Sequence, residues 1–266
     1  MQIIERFLTN NENFQTQRSI VPQGIMIHSV GVPQPDPEVF ARTWNVHRPH
    51  GRQVGMHAFL GADGRVFQTL PWEHRAWHCG GSANDTHIGV EMTEPNTIRY
   101  TTGANFVDQN PKVTEGHVRA TYEAATELFA FLCSEFGLNP LGDGVILSHS
   151  EGHRRGIASN HGDVEHLWDR FGLTTDQFRR DIHEKVDGQV FNALFRVQVG
   201  AFRDQENARA FLQKVRNMSH GAFLAQGDDN LWRVQAGAFS SRVNAGQLAH
   251  RLRENGLDAF VVEAER

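Results

Sequence analysis

The sequence predicts an α/β domain with a mixed central sheet flanked by helices, followed by a small α+β domain of two βαβ units. Short apolar strands alternate with helical segments as far as about residue 187, which is typical of an α/β sheet. Beyond that point the segment RVQVGAF, at residues 196–202, returns as RVQAGAF at residues 233–239, which indicates an internal repeat. We therefore expect a first domain at residues 1–187, a linker at 188–191 and a second domain at 192–266.

The elements of the first domain follow from apolar periodicity and turn residues. Thr114 is expected to cap a long helix with an apolar face, which Gly137 ends. Gly64 is expected in the turn between two short strands within residues 56–70, because glycine tolerates a positive φ. The other predicted strands are 24–30, 88–92 and 145–147, and the predicted helices are 38–47, 114–137, 164–171 and 175–186.

Each copy of the repeat predicts a strand, a helix and a second strand, the last at residues 221–225 and 259–263. Side chains alternate between the two faces of a strand, so the valines of the repeated segment are expected to face the helices. The residues that then point away from the helices are Arg196, Gln198, Arg233 and Gln235.

Composition excludes several classes of protein. The net charge of −5 includes no strongly basic part that would indicate nucleic-acid binding, and no apolar run approaches the length of a membrane span. The N-terminus lacks the pattern of an ordinary signal peptide, which predicts a protein made in the cytoplasm. The two cysteines are too few for a disulfide framework: Cys133 is expected in the core, whereas Cys79 follows a histidine and is able to approach a metal.

Histidines at the ends of apolar strands give the main functional signal. His28 and His149 each end such a strand, and Asp163 follows the second. A buried imidazole requires partners for its ring nitrogens, and imidazole with carboxylate is the usual ligand set of a catalytic zinc. The pattern predicts a zinc hydrolase. The alternative is that these are hydrogen-bonded structural residues, since the chain contains 15 histidines.

Two families are similar to the two parts of the chain. The tandem RVQxGAF segment resembles the sporulation-related repeat (SPOR) domain, which implies binding of glycan strands that lack stem peptides. Residues 20–171 resemble the zinc-dependent N-acetylmuramoyl-L-alanine amidases of the amidase-2, or peptidoglycan-recognition-protein-like, type. The motifs that carry this second resemblance are MIHS at 26–29, HAFL at 57–60, WHCG at 77–80 and IGVE at 88–91.

The resemblance implies a metal site and a catalytic group. It places the zinc ligands at His28, His149 and Asp163, with His153 as a rival to His149 because the segment after His149 is longer than is usual. It implies that Glu91 acts as the general base, or else orients a histidine ligand.

Further roles are implied for neighbouring residues. His161 occupies the place of a lysine that is frequent in the family, and we expect it to stabilise a developing oxyanion. His57 and His78 are expected to contact substrate, with orientation of the catalytic glutamate as the other possible role of His78. Glu94 is expected to face away from the site and to be solvated or a loop group.

The implied function is a two-module enzyme that cuts between N-acetylmuramic acid and L-alanine in bacterial peptidoglycan. The second module would hold it on the wall through the Arg196, Gln198, Arg233 and Gln235 face. Without a signal peptide, such an enzyme acts after release, as a phage endolysin through a holin or as an autolysin on cell lysis. The alternatives are a peptidoglycan-binding protein without activity and a zinc peptidase that cuts within the stem peptide.

Overall fold

A computed structural model of the protein describes residues 1–190, 194–218, 221–227, 229–239 and 242–264. Contacts divide the chain into two compact units. The first contains Met1–Ala130 and Leu138–His183, and the second contains Phe131–Gly137 and Glu184–Arg266. No helix within the described ranges is long and apolar enough to cross a bilayer.

The first unit is built on a six-stranded mixed sheet with the order β1-β4-β3-β5-β2-β8. All pairs are parallel except the β3–β4 hairpin, in which Gly64 adopts the expected positive φ of 76°. The strands are β1 (Gln2–Glu5), β2 (Gly24–Ser29), β3 (Ala58–Leu60), β4 (Arg65–Gln68), β5 (His87–Met92) and β8 (Ile146–Ser148), with β6 (Ile98–Tyr100) and β7 (Phe106–Asp108) forming a separate hairpin. The predicted fold class is confirmed for this unit.

The middle of this sheet is its most buried part. All six residues of β2 are buried, which explains why its sequence is a continuous apolar run instead of an alternating one. Helices pack around the sheet, and Phe178 of α6 lies 5.1 Å from the rings of both Phe129 and Trp168. The helices are α1 (Glu12–Gln15), α2 (Pro37–Thr43), α3 (Pro111–Phe136), α4 (His149–Arg154), α5 (Glu165–Trp168) and α6 (Thr175–Val190), with 3₁₀ turns at Pro49–Gly51, Ser82–Asp85 and Asp169–Phe171.

Three expectations differ from the structure. Helix α3 begins at Pro111, and Thr114 lies inside it, where its hydroxyl donates to Asp108 (2.7 Å). His149 does not end β8 but begins α4, whose cap is Ser148. Helix α6 continues to Val190, so residues 188–190 of the expected linker are helical, and residue 191 lies outside the described part.

The second unit carries the expected pair of βαβ units in one antiparallel sheet of order β10-β11-β9-β12. Its core includes Val197 and Val199 of the first repeat and Val234 and Ala236 of the second, as the alternation predicts. The elements are β9 (Leu194–Phe202), α7 (Gln205–Arg216), β10 (Phe223–Gln226), β11 (Trp232–Phe239), α8 (Arg242–Glu254) and β12 (Phe260–Ala264).

Candidate metal and catalytic site

The carboxyl ends of three neighbouring parallel strands form one edge of the sheet in the first unit. His28 lies near the end of β2, Glu91 near the end of β5, and His149 follows β8 directly. Ligand sites in open α/β sheets gather at this edge. A cleft of about 1270 Å³ opens there, and Asp163 lines it together with these three residues.

Three potential metal ligands converge in the cleft. Nδ1 of His28 lies 3.0 Å from Nδ1 of His149, and Oδ2 of Asp163 lies 3.3 Å from the first nitrogen and 3.6 Å from the second. Zinc bound tetrahedrally at about 2.0–2.2 Å separates its ligand atoms by roughly 3.4 Å. The triangle of two imidazoles and one carboxylate therefore fits a three-ligand zinc site in size and in chemistry.

The electrostatics of the triangle favour a cation. Burial lowers the pKa of His28 more than Asp163 raises it, so this imidazole is held neutral. Burial also raises the pKa of Asp163, but the imidazoles of His149 and His28, at 3.6 and 3.3 Å, lower it by more, and the net pKa lies below the usual value. The aspartate therefore stays ionised next to the imidazole nitrogens of the triangle.

The second nitrogen of His149 has a defined partner. Ser159 donates its hydroxyl hydrogen to the carbonyl oxygen of Cys79 (2.9 Å), so it accepts from Nε2 of His149 (3.2 Å). Nδ1 is therefore the ring nitrogen of His149 that faces Asp163 and is placed to bind a metal. The Cys79 thiol contacts Asn84 (3.1 Å) and does not belong to the group of potential ligands, so the structure does not support its approach to a metal.

His78 contacts the potential ligand His28. Its Nδ1 lies 2.9 Å from Nε2 of His28, and its Nε2 lies 3.1 Å from the carbonyl oxygen of His87. Both ring nitrogens are therefore engaged, and burial lowers the pKa of His78 well below its usual value. This placement corrects the expected role of orienting Glu91; His78 lines the cleft, so its expected contact with substrate stays a prediction.

Glu91 offers an unpaired oxygen beside the triangle. Its Oε2 is buried and has no hydrogen-bond partner within the described residues. Burial, then the charges of Asp163 and Glu94, raises the pKa of Glu91 well above its usual value. A carboxylate in this state accepts a proton readily, which is the property of a general base.

Glu94 is buried, with 0% of its surface exposed, so the expectation that it is solvated is wrong. Its Oε1 accepts the backbone N–H of Gly31 (3.0 Å), and its Oε2 accepts the hydroxyl of Tyr100 (2.8 Å). The Tyr100 oxygen also lies 2.7 Å from Nε2 of His166. Burial raises the pKa of Glu94 to about 7.

His57 is a structural residue, which corrects its expected contact with substrate. It is 0% exposed; its Nε2 donates to the carbonyl oxygen of His74 (2.8 Å), and its Nδ1 accepts the N–H of Gly89 (2.9 Å). Burial lowers its pKa to about 4. No ring atom of His57 is left for a ligand.

The two remaining histidines of the prediction, His161 and His153, differ in their position relative to the triangle. His161 is exposed on the cleft wall. Its ring centroid lies 4.6 Å from that of His149, with the two rings tilted by 42°, and its Nδ1 lies 3.1 Å from the Ser159 hydroxyl. Burial of part of the ring, then the nearby His149, lowers its pKa. His153 is exposed, contacts the carbonyl oxygen of Ala158 (3.3 Å) and does not join the triangle, so the structure does not support it as a rival ligand.

Sequence reasoning missed three residues of the cleft. Tyr100 and His166 belong to the Glu94 network, and Ser159 orients His149. None lies in a motif that carries the family resemblance. Tyr100 is on a short hairpin strand, and Ser159 is in the long segment between His149 and Asp163. Their roles follow from the side-chain contacts that the fold brings together.

The four polar residues predicted on the second unit line one cavity of about 410 Å³ on the sheet face. Gln198 and Gln235 are buried there, and Gln235 Nε2 lies 3.5 Å from Gln198 Oε1. Arg233 pairs with Asp229 (2.6 Å). Nε of Arg196 and Oε1 of Gln235 are buried without a hydrogen-bond partner within the described residues, so the cavity holds an unmet donor and an unmet acceptor.

Family models match both units. The N-acetylmuramoyl-L-alanine amidase model matches residues 17–165, and the SPOR domain model matches residues 192–263. The first match covers more than half of the chain.

Among curated proteins, the 1,6-anhydro-N-acetylmuramyl-L-alanine amidase AmpD of Citrobacter freundii is 36% identical over a segment that covers 18% of this chain and 30% of that protein. AmpD of Escherichia coli K12 is also 36% identical, over 18% of this chain and 31% of that protein. The chain thus spans about a third of the length of the curated relatives it matches.

Among solved structures, the Staphylococcus aureus hydrolase AmiA, in complex with its ligand, has 18% sequence identity and a TM-score of 0.50. The match covers 70% of this chain and 83% of that chain. This likeness is one of fold.

Proposed function

Because the chain belongs to the N-acetylmuramoyl-L-alanine amidase family, we propose that it hydrolyses the amide bond between N-acetylmuramic acid and L-alanine in bacterial peptidoglycan, with zinc as its cofactor. The observation that carries the proposal is the triangle of Nδ1 of His28, Nδ1 of His149 and Oδ2 of Asp163 at the edge of the cleft. These residues would hold the ion.

Zinc held by these residues would act as a Lewis acid. It would activate a water molecule near neutral pH and polarise the carbonyl of the substrate. Glu91 then has a defined task. Its unpaired Oε2 accepts a proton from the attacking water and passes it to the departing amine of L-alanine. The alternative role of Glu91, orienting a histidine ligand, is not favoured, since His78 and Ser159 already occupy the second nitrogens of His28 and His149.

His161, in its imidazolium form, is proposed as a donor to the oxygen that develops negative charge when the carbonyl is attacked. The hydroxyl hydrogen of Ser159 goes to Cys79, so Nδ1 of His161 donates to Ser159, and Nε2 donates into the cleft when the ring carries both hydrogens. The exposure of the ring at the wall supports this role.

The second unit is proposed to bind glycan strands of the wall. The unmet donor on Arg196 and the unmet acceptor on Gln235 suit sugar hydroxyls, which both donate and accept hydrogen bonds. Gln198 and Arg233 complete the lining of that cavity.

The deciding experiment is product analysis on purified peptidoglycan with the zinc-loaded protein. The proposed amidase releases stem peptides whose new amino end is L-alanine and leaves muramic acid with a free lactyl carboxylate. New amino ends from residues further along the stem would instead identify a peptidase. Binding without any product would identify a recognition protein.

A further inference from the structure

His78 lies between the backbone of β5 and the potential ligand His28, in a chain of two hydrogen bonds. A backbone carbonyl oxygen only accepts, so Nε2 of His78 carries the hydrogen in its contact with His87 (3.1 Å). A neutral imidazole has a single N–H, so Nδ1 of His78 is an acceptor. Nε2 of His28, 2.9 Å away, must then be the donor.

This chain of contacts determines which nitrogen of His28 is free. With its hydrogen on Nε2, neutral His28 has its lone pair on Nδ1. Nδ1 is the atom that lies 3.0 Å from His149 and 3.3 Å from Asp163. The tautomer set by His78 is therefore the one that a metal ligand at this place requires.

We propose that His78 is a positioning residue that fixes the tautomer and ring orientation of His28 through a relay from the carbonyl oxygen of His87, and thereby strengthens metal binding. The inference rests on the proposed function only in taking zinc as the metal. Histidine ligands commonly donate their second N–H to a carboxylate or a carbonyl oxygen, whereas here a second histidine stands between the ligand and the carbonyl.

The surroundings of His78 hold its ring in place. A Cβ added to Gly89 of β5 would lie 2.5 Å from Cγ of His78, so the absence of a side chain at Gly89 lets the ring lie against the strand. Oδ1 of Asn84 accepts the backbone N–H groups of both His78 and Cys79, each at 3.0 Å. Strand and loop together fix the ring between His87 and His28.

Two amide substitutions distinguish a hydrogen-bonding role of His78 from a role of its ring in packing alone. Oδ1 of an asparagine takes the position of the imidazole Nδ1, so His78→Asn keeps an acceptor for His28. The amide of a glutamine reaches the position of Nε2, so His78→Gln keeps the contact with His87 and removes the acceptor. Both variants lose the ring, so loss of packing affects both.

The test uses the full chain and two readouts. Zinc affinity, measured by competition with a chromophoric chelator, should fall by about 10- to 100-fold in His78→Gln and by clearly less in His78→Asn. In the zinc-free parent, ¹⁵N NMR of labelled histidines should show His28 with its hydrogen on Nε2. An equal loss of affinity in both variants, or no loss in His78→Gln, overturns the proposal.

The NMR result on the parent decides the matter if a variant does not fold: hydrogen on Nδ1 of His28 contradicts the relay, and hydrogen on Nε2 supports it. Failure of the proposed amidase function can be told apart from failure of the relay. A parent that binds zinc with the expected contrast between variants, but releases no stem peptide, keeps the inference and refutes the amidase.

Discussion

His28 and Glu91 are register partners on the neighbouring parallel strands β2 and β5. Partners in a parallel ladder project to the same face, so the sheet itself brings a potential metal ligand and a potential base together. Asp163 reaches the same place from the loop before α5. The sheet thus contributes a fixed part of the site, and the segment after His149 supplies the rest.

Removing a ligand should abolish metal binding. We expect His28→Ala, His149→Ala and Asp163→Ala each to lose stoichiometric zinc and the activity that depends on it, because two remaining ligands hold zinc weakly. Metal analysis after dialysis and a turnover assay measure both effects. His153→Ala is the matched control: the ring of this exposed histidine lies 3.3 Å from the Ala158 carbonyl oxygen and does not join the triangle, so the variant should keep full metal and activity.

Glu91→Gln should keep zinc and the fold but lower turnover by about 10²- to 10⁴-fold, the scale for removal of a general acid–base. Glutamine has nearly the same shape but does not accept the proton. Glu94→Gln is the comparison, since Glu94 is fully buried and does not line the cleft, and a smaller loss is expected. Near-parental turnover in Glu91→Gln would demote Glu91 to a structural group.

The sequence predicted the site residues at the strand ends more accurately than those in the loops. His28, His149 and Asp163 were placed correctly in one cluster, because apolar runs mark parallel strands and the ends of such strands meet at one edge. The substrate contact expected of His57 was wrong, and so was the orientation of Glu91 by His78. Both lie in motifs of the family, yet their ring nitrogens bond to backbone groups and to His28, and such partners depend on tertiary packing.

Two further differences between prediction and structure also have local causes. Glu94 follows the end of β5, where the two-residue alternation of a strand no longer predicts direction, and the chain turns its carboxyl inward to Gly31 and Tyr100. Strand β1 has only four residues at the edge of the sheet, too short for a periodic pattern to identify.

Glu94 should make stability fall as pH rises. Its pKa is about 7 in the folded protein against 4.5 as the ordinary value, so the folded state favours the protonated form. The stability that this gives is complete below about pH 4.5 and is lost as pH rises through 7. The loss between these limits is at most about 3 kcal/mol.

The measurement compares free energies of unfolding of the zinc-free parent and Glu94→Gln at pH 5 and pH 8. The parent should lose more stability than the variant over this interval. The difference between the two proteins is used because it cancels the contributions of the titrating groups that they share. Glu5→Gln, at an exposed position, is the control, and a Glu94→Gln profile parallel to that of the parent would contradict the assignment.

Arg196→Ala should weaken attachment of the protein to purified sacculi without changing hydrolysis of small soluble muropeptides. Nε of Arg196 is a buried donor with no partner among the described residues, in a cavity of the second unit that shares no residue with the zinc triangle. Arg203→Ala is the matched control, because it removes the same charge from an exposed turn of the same unit outside that cavity. Sedimentation with sacculi, before and after their stem peptides are stripped, measures binding. Equal binding by the two variants, or binding by the parent that does not increase on stripped glycan, argues against a site for peptide-free glycan on this face.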